Sequence, residues 1–227
     1  MTSQHPASQP DYWRQRWVEG ATGWHRDGIN PQLAKWWSAL GIEEPQSVLV
    51  PLCGSSLDLQ WLASQGHEVF GVEASDLAVD RFFQAAEVEP QRRPLGDGAI
   101  EVVEAGSIHL YCGDFFALRD VDFPDLTCAY DRAALVALPP TTRPLYLQQL
   151  HRLLAPGAKV LLVSFEYPQE VKAGPPFSVE EEEVRRLAND LFTVELLDRF
   201  DLKGKEEKFS DPAFRYVAET VYLLTRS

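Results

Sequence analysis

Gly54 and Glu73 are the first residues in the chain whose types and spacing indicate chemistry. Gly54 lies in the turn after one short apolar run, and Glu73 ends the next run, 19 positions later. In nucleotide-binding α/β folds, an acid about 20 residues beyond the glycine turn accepts hydrogen bonds from ribose hydroxyls. A carboxylate can accept both hydroxyl protons, which a neutral side chain cannot match. The spacing therefore predicts ribose binding by Glu73, and the alternative is a surface glutamate at a strand end.

The turn itself restricts which nucleoside can bind. A pyrophosphate needs several backbone N–H groups at close range, and therefore several glycines. This turn, "PLCGSS", has the single Gly54, and no lysine follows it as in a phosphate-binding loop. We expect an adenosine that carries a smaller group, which argues against a dehydrogenase that binds a nicotinamide dinucleotide.

Two later segments carry further candidates. In "LYCGDFF", Asp114 and a neighbouring amide could meet an adenine edge while Phe115 packs on the ring; the alternative is that Asp114 caps the next segment. In "YDRAALVALPP", an apolar strand ends at Asp131 and Arg132. Arg132 could bind the carboxylate of a bound amino acid or a substrate anion, or form an ion pair with Asp131 or another acid.

Strands and helices that would position these residues alternate along the chain. The predicted strands cover residues 48–52, 69–72, 100–104, 108–111, 126–130, 159–165, 193–200 and 216–224, and the predicted helices cover 57–65, 77–86, 145–154 and 178–191. The last helix is predicted to start with a capping box of Ser178 and Glu181, and residues 89–99 are predicted as a loop. The pattern indicates an α/β fold, with a mostly parallel sheet, helices on both faces and an antiparallel C-terminal strand.

The N-terminal region has a different composition. Residues 1–10 are polar and predict a disordered tail, whereas residues 11–41 contain five of the six tryptophans. Trp13 and Trp17 are four positions apart, which places both on one face of a helix. We expect residues 11–227 to form one domain, with residues 11–41 as an N-terminal helical segment.

Composition excludes several classes of partner. The chain has 227 residues, 45% of them hydrophobic, and a net charge of -13, so it is globular and repels nucleic acids and anionic membranes. No apolar run is long enough to span a bilayer, and the start lacks a signal peptide. Cys53, Cys112 and Cys128 have no metal-binding spacing. We expect no metal, no nucleic-acid or membrane partner, and a reducing cytoplasm.

Several stretches together resemble thiopurine S-methyltransferases. They are, in order, "DYWRQRW", "GWHRDGINP", "VLVPLCGSSLDLQWLASQGHEVFGVEAS", "LYCGDFFAL", "YDRAALVALPP", "YLQQLHRLL" and "GPPFSV". The resemblance implies a Rossmann-like class I methyltransferase fold with S-adenosyl-L-methionine as cofactor. That cofactor has no phosphate, consistent with the single-glycine turn.

The resemblance also implies functions for individual residues. By position, the cofactor contacts of the family fall on Trp13, Trp17, Leu52, Gly54, Glu73, Asp114, Phe115 and Arg132. The substrate contact falls on Trp24, where the family usually has Phe. Ser55 stands where members often have Lys.

The implied reaction is methyl transfer to the thiol or thiolate of a small aromatic or heterocyclic acceptor, such as a thiopurine. Arg132 could favour the thiolate, with Asp131 or Asp27 aiding proton removal through water; the tryptophan segment would be a lid. The alternatives are methylation of halide, thiocyanate, small thiols or selenium and tellurium species, or a catalytically silent protein that binds S-adenosylmethionine. We expect a monomer.

Overall fold

A computed structural model describes residues 5–205 and 209–227 and contains one nine-stranded sheet. The strands are β1 Ser47–Val50, β2 Glu68–Glu73, β3 Gln91–Leu95, β4 Ile100–Ala105, β5 Ile108–Cys112, β6 Leu126–Arg132, β7 Leu154–Glu166, β8 Phe192–Asp201 and β9 Ala218–Arg226. The α-helices are α1 Pro10–Val18, α2 Pro31–Trp36, α3 Asp58–Ser64, α4 Asp76–Ala85, α5 Arg143–Leu153 and α6 Glu181–Ala188. No helix within these residues has both the length and the apolar character needed to cross a bilayer.

The sheet has a parallel centre and antiparallel edges. The strand order is β3-β4-β5-β2-β1-β6-β7-β9-β8, and the five strands from β5 to β7 are parallel. β9 pairs antiparallel to β7, and β8 antiparallel to β9, as the absence of a helix between the last two strands predicted. The α/β class and the antiparallel C-terminal strand are therefore confirmed.

Helices bury the sheet on both faces, which explains why the central strands are continuous apolar runs. Side chains of α5 and α6, such as Tyr146 and Val184, pack into the core on one face. On the other face, α2, α3 and α4 contribute Leu33, Leu62 and Phe82. The helices on both faces thus hold the carboxyl ends of the parallel strands in fixed positions at one edge.

The prediction of a loop over residues 89–99 is wrong for Gln91–Leu95, which forms strand β3. This strand pairs antiparallel with β4 at the sheet edge, and four of its five residues are exposed. An edge strand with both faces in water needs no apolar alternation, and it tolerates Pro94. The sequence therefore lacks the pattern by which a buried strand is recognised.

The chain before α1 is ordered where the structure describes it. Pro6–Ser8 form a short 3₁₀ turn, Ala7 is fully buried, and Trp13 Nε1 donates a hydrogen bond to the Ala7 carbonyl at 3.1 Å. The disordered tail predicted for residues 1–10 is therefore wrong for residues 5–10. Residues 1–4 lie outside the described residues.

The start of α6 also differs from the prediction. Glu180, not Ser178, is the N-cap residue, and the helix ends at Ala188. The Ser178 hydroxyl accepts the Tyr167 backbone N–H at 3.0 Å instead of capping the helix. The Ser178 hydroxyl, which the local motif assigned to a capping box, is thus hydrogen-bonded to the chain just beyond β7.

A buried carboxylate fixes the start of α2 to the sheet. Asp58 accepts the Asn30 backbone N–H at 2.8 Å and the Tyr130 hydroxyl at 3.1 Å. All three residues are buried. Since buried donors need acceptors, this carboxylate joins the start of α2 to both α3 and β6.

We expect Asp58→Ala to lower the free energy of unfolding by about 2–5 kcal/mol, because two buried donors each lose an acceptor. Hydrogen exchange at the Asn30 amide should accelerate in the same variant. Tyr130→Phe removes one donor and should cost less. Unchanged Asn30 exchange in Asp58→Ala would contradict this function of the carboxylate.

Candidate active site

A cavity lies where the carboxyl ends of β1, β2 and β6 meet, the edge at which parallel α/β sheets bind ligands. About 590 Å³ of space, part of it open to solvent, lies within its walls. Its lining comprises Trp13, Trp17, Trp24, Leu52, Glu73, Ala74, Ala133, Val136, Ala137, Pro175 and Pro176. Five residues predicted from the sequence thus come together in one cavity: Trp13, Trp17, Trp24, Leu52 and Glu73.

Glu73 is the acidic group of this cavity. Its side chain is buried, with one oxygen accepting the Gly54 N–H at 2.9 Å and the other accepting the Ser75 N–H at 2.8 Å. Burial raises the pKa of Glu73, while these N–H groups and the nearby Arg14 oppose that rise. The alternative of a surface glutamate is therefore wrong. A carboxylate has about four acceptor sites, so acceptor capacity remains for a ligand hydroxyl beside the loop N–H groups.

The backbone of the cavity wall adopts unusual conformations. Leu52 and Ala133 have φ values of 48° and 63°, in the left-handed region that residues other than glycine seldom adopt. Gly54 has φ 57°, and a Cβ there would lie 3.0 Å from the Trp17 ring. Such conformations concentrate at functional sites, and here they bring two strand ends close to the cavity.

An aromatic group from the N-terminal segment covers this edge. The Trp24 ring meets Trp13 and Trp17 edge to face, at centroid distances of 5.3 and 6.0 Å. Arg81 of α4 lies 5.7 Å from the Trp17 ring, and Arg14 donates to the Ala74 carbonyl at 2.9 Å. Contacts from α1 therefore hold the indoles above the ends of β1 and β2.

A second cavity adjoins the first. The two share Trp24, Ala133, Val136 and Pro176 in their walls, and the space within the second, part of it open to solvent, is about 810 Å³. Its remaining lining comprises Gly23, Arg26, Arg132, Val163, Ser164, Phe165, Lys172, Leu202, Phe209, Phe214 and Glu219. A wall with four aromatic side chains, three cations and one carboxylate suits a flat, polar small molecule.

Arg132 extends into the second cavity. Its Nη1 donates to the Trp24 carbonyl at 2.9 Å, so it also ties the aromatic group to β6. Consecutive residues of a strand point to opposite faces, so Arg132 and Asp131 face apart. The ion pair with Asp131, which the sequence left open as an alternative for Arg132, is not among those of the described residues. Arg132 lines the second cavity and not the first, so it lies apart from the cavity that contains Glu73.

Asp131 lies in the core. One carboxylate oxygen accepts the Leu135 N–H at 3.1 Å, and the other accepts the Tyr146 hydroxyl at 2.8 Å. Burial raises the pKa of Asp131 to about 6. Asp131 lines neither cavity, so its predicted catalytic role in proton removal does not fit the structure. Asp27, the other candidate, is exposed and also lines neither.

Asp114 and Phe115 also lie outside both cavities. Asp114 accepts the Phe116 N–H at 2.9 Å and caps a 3₁₀ turn, which is the alternative that its turn position suggested. Phe115 is 2% exposed and packs against Tyr146 in the core. It is therefore not placed to pack on an adenine ring.

Two contributions were missed from the sequence. Pro175 and Pro176 line the first cavity, although "GPPFSV" had counted only toward the resemblance. Glu219 enters the second cavity from β9. The one local signal for Glu219 was an acid within a mostly apolar strand.

Comparison with known proteins identifies the family. The model of the thiopurine S-methyltransferase family matches residues 8–227, nearly the whole chain. The chain belongs to the thiopurine S-methyltransferase family. Relatives named thiopurine S-methyltransferase in this family include one from Pseudomonas fluorescens, 44% identical over 95% of this chain and 98% of the relative. One from Xanthomonas campestris pv. campestris is 45% identical, with the same two coverages.

Solved structures agree with the fold that the family implies. Magnesium protoporphyrin IX methyltransferase from Synechocystis superposes with a TM-score of 0.65 at 16% identity and full coverage of both chains. The 1,6-didemethyltoxoflavin-N1-methyltransferase of Burkholderia thailandensis gives 0.64 at 17% identity, covering 100% of this chain and 91% of the other. Both are methyltransferases, so the Rossmann-like class I methyltransferase fold is confirmed.

The raised pKa of Asp131 predicts a pH-dependent stability. The protonated form is favoured in the folded state, so this stabilisation is complete below the ordinary pKa of 3.8 and is lost as pH rises through about 6. Asp131→Asn imitates the protonated form. As pH rises from acidic to neutral, the free energy of unfolding of the wild type should therefore fall by about 3 kcal/mol relative to that of Asp131→Asn.

Urea unfolding of both proteins across this pH range measures the difference. Asp125→Asn, an exposed substitution just before β6, should show no such trend. If the difference in free energy of unfolding between the wild type and Asp131→Asn did not change with pH, the raised pKa of Asp131 would be contradicted.

Proposed function

We propose that this chain transfers a methyl group from S-adenosyl-L-methionine to the thiol sulfur of an aromatic or heterocyclic acceptor, such as a thiopurine. The observation that carries the proposal is the pair of adjoining cavities. One contains the buried carboxylate of Glu73, and the other contains the guanidinium of Arg132. The names of the curated relatives support the same reaction.

The first cavity fits the cofactor. Glu73 keeps acceptor capacity beside a loop with one glycine, which suits a ribose and gives no cradle for a pyrophosphate. Glu73 would hold the ribose, while Leu52, Trp13 and Trp17 would enclose the rest. When bound, S-adenosylmethionine supplies a methyl group on a positively charged sulfur.

The protein contributes alignment and exclusion of water. The two cavities share wall residues, among them Trp24 and Ala133, so an acceptor in the second would lie beside the methyl group. Such alignment can supply a large part of the rate enhancement. Arg132 would stabilise the negative charge of a thiolate by a charge-assisted hydrogen bond. The carbonyl of Trp24 holds this guanidinium in place.

The state of the three cysteines argues against a covalent enzyme intermediate and supports direct transfer of the methyl group. Burial raises the pKa of Cys53 well above its ordinary value, that of Cys112 to about 11 and that of Cys128 to about 12. A thiol must be ionised to act as a nucleophile. In the described structure, none of the three lines either cavity.

We further propose that residues 11–41 act as a lid, because Trp13, Trp17 and Trp24 line the first cavity and Trp24 also lines the second. A monomer in a reducing cytoplasm is proposed from the sequence, and the free cysteines are consistent with that location. Halide and thiocyanate are less suited as acceptors, because the four aromatic side chains that line the second cavity favour a flat ring over a small ion.

Glu73→Gln is expected to weaken binding of S-adenosylhomocysteine roughly ten- to a hundred-fold, since a hydrogen bond to a charged acceptor contributes about 1.5–3 kcal/mol. Calorimetry on the folded variant measures the change. Glu68→Gln, an exposed substitution at the start of the same strand, is the matched control. Unchanged affinity in Glu73→Gln would remove the ribose assignment.

An acceptor screen tests the proposed reaction. The wild-type protein is incubated with S-adenosylmethionine and, separately, a thiopurine, a small thiol, thiocyanate and iodide, and S-adenosylhomocysteine formation is followed. We expect turnover with the thiopurine to exceed turnover with either ion. Faster turnover of an ion would replace the proposed acceptor, and cofactor binding without turnover on any sulfur compound would favour a silent binding protein.

A further inference from the structure

Glu219 faces the cavity that Arg132 enters. It lies on β9 opposite Phe165 of β7, and alternation along the strand places it on the same face as Val221. Val221 packs in one core cluster with Tyr130 and Val163. Among the described residues that line this cavity, Glu219 carries the one carboxylate.

Sheet register separates Glu219 from Arg132 by a distance that suits a bound molecule. Arg132 is in register with Val163, and Val163 with Val221, so Glu219 lies two strands across and two residues along. That offset corresponds to about 12 Å between Cα atoms. Among the described residues, Arg132 and Glu219 do not form an ion pair with each other. A small acceptor between them could meet both.

We infer that Glu219 accepts the proton that the sulfur acceptor must lose before it is methylated. The inference rests on the proposed function. The S–H bond of the acceptor breaks, or the ring N–H bond of its thione form, and an O–H bond forms on Glu219. The bonding electron pair stays on the acceptor as negative charge on sulfur, near Arg132. The proton passes from Glu219 to water after the product leaves.

The position of the other acids supports this assignment. Asp131 uses both oxygens inside the core, and Asp27 lines neither cavity. The other charged groups that line the cavity are the cations Arg26, Arg132 and Lys172, which cannot accept a proton in their charged form. Glu219 is thus the carboxylate in position to do so.

Glu219→Gln tests the inference with two aromatic thiols. One acceptor is fully ionised at the assay pH, and the other is mostly protonated. Because a positioned base typically contributes 10²–10⁴-fold, we expect kcat/KM of the variant to fall about 100-fold for the protonated acceptor and less than about threefold for the ionised one. Raising the pH until the second acceptor ionises should restore the rate of the variant.

Three further measurements separate this role from a structural one. Glu195→Gln, an exposed substitution on β8, should leave both acceptors unaffected. Calorimetry with S-adenosylhomocysteine should give the same affinity for wild type and Glu219→Gln. Glu219→Asp, which keeps a carboxylate, should retain part of the rate for the protonated acceptor and provides the test if the Gln variant does not fold.

Equal losses of rate for both acceptors, or a loss that higher pH does not restore, would overturn the inference and leave the proposed function intact. A wild-type protein that methylates neither thiol would overturn the proposed function itself, and the role of Glu219 with it.

Discussion

The site depends on one buried carboxylate whose two oxygens hold the backbone at the end of β1 and the end of β2. Glu73 accepts the N–H groups of Gly54 and Ser75 and is itself 5% exposed. Burying a carboxylate is costly, and the two N–H bonds offset that cost. Because these bonds leave acceptor positions free, the same group can shape the loop and bind a ribose.

β6 gives adjacent residues opposite functions. The alternation of a strand turns Asp131 into the core, where it holds the turn that follows, and turns Arg132 into the second cavity. Trp24 then accepts a hydrogen bond from Arg132 through its backbone carbonyl while its ring lines both cavities. The two cavities and the N-terminal segment therefore meet at one strand end.

Sequence patterns predicted the parts of the molecule that local physics determines. Buried parallel strands are apolar runs, so the central sheet could be predicted, and Glu73 followed from its distance to Gly54. The rest depends on tertiary partners. β3 is an exposed edge without alternation, and Ser178 binds the chain beyond β7 instead of capping its helix. Glu219 acquires a role only because β9 returns beside β7, which no local pattern specifies.

A crystal structure of this chain with S-adenosylhomocysteine tests the account most directly. We expect the product in the cavity that Trp13 and Trp17 line, with its ribose hydroxyls within hydrogen-bond distance of the Glu73 carboxylate and its sulfur facing the cavity that Arg132 enters. A product bound elsewhere, or bound here with Glu73 contacting only the loop amides, would contradict it.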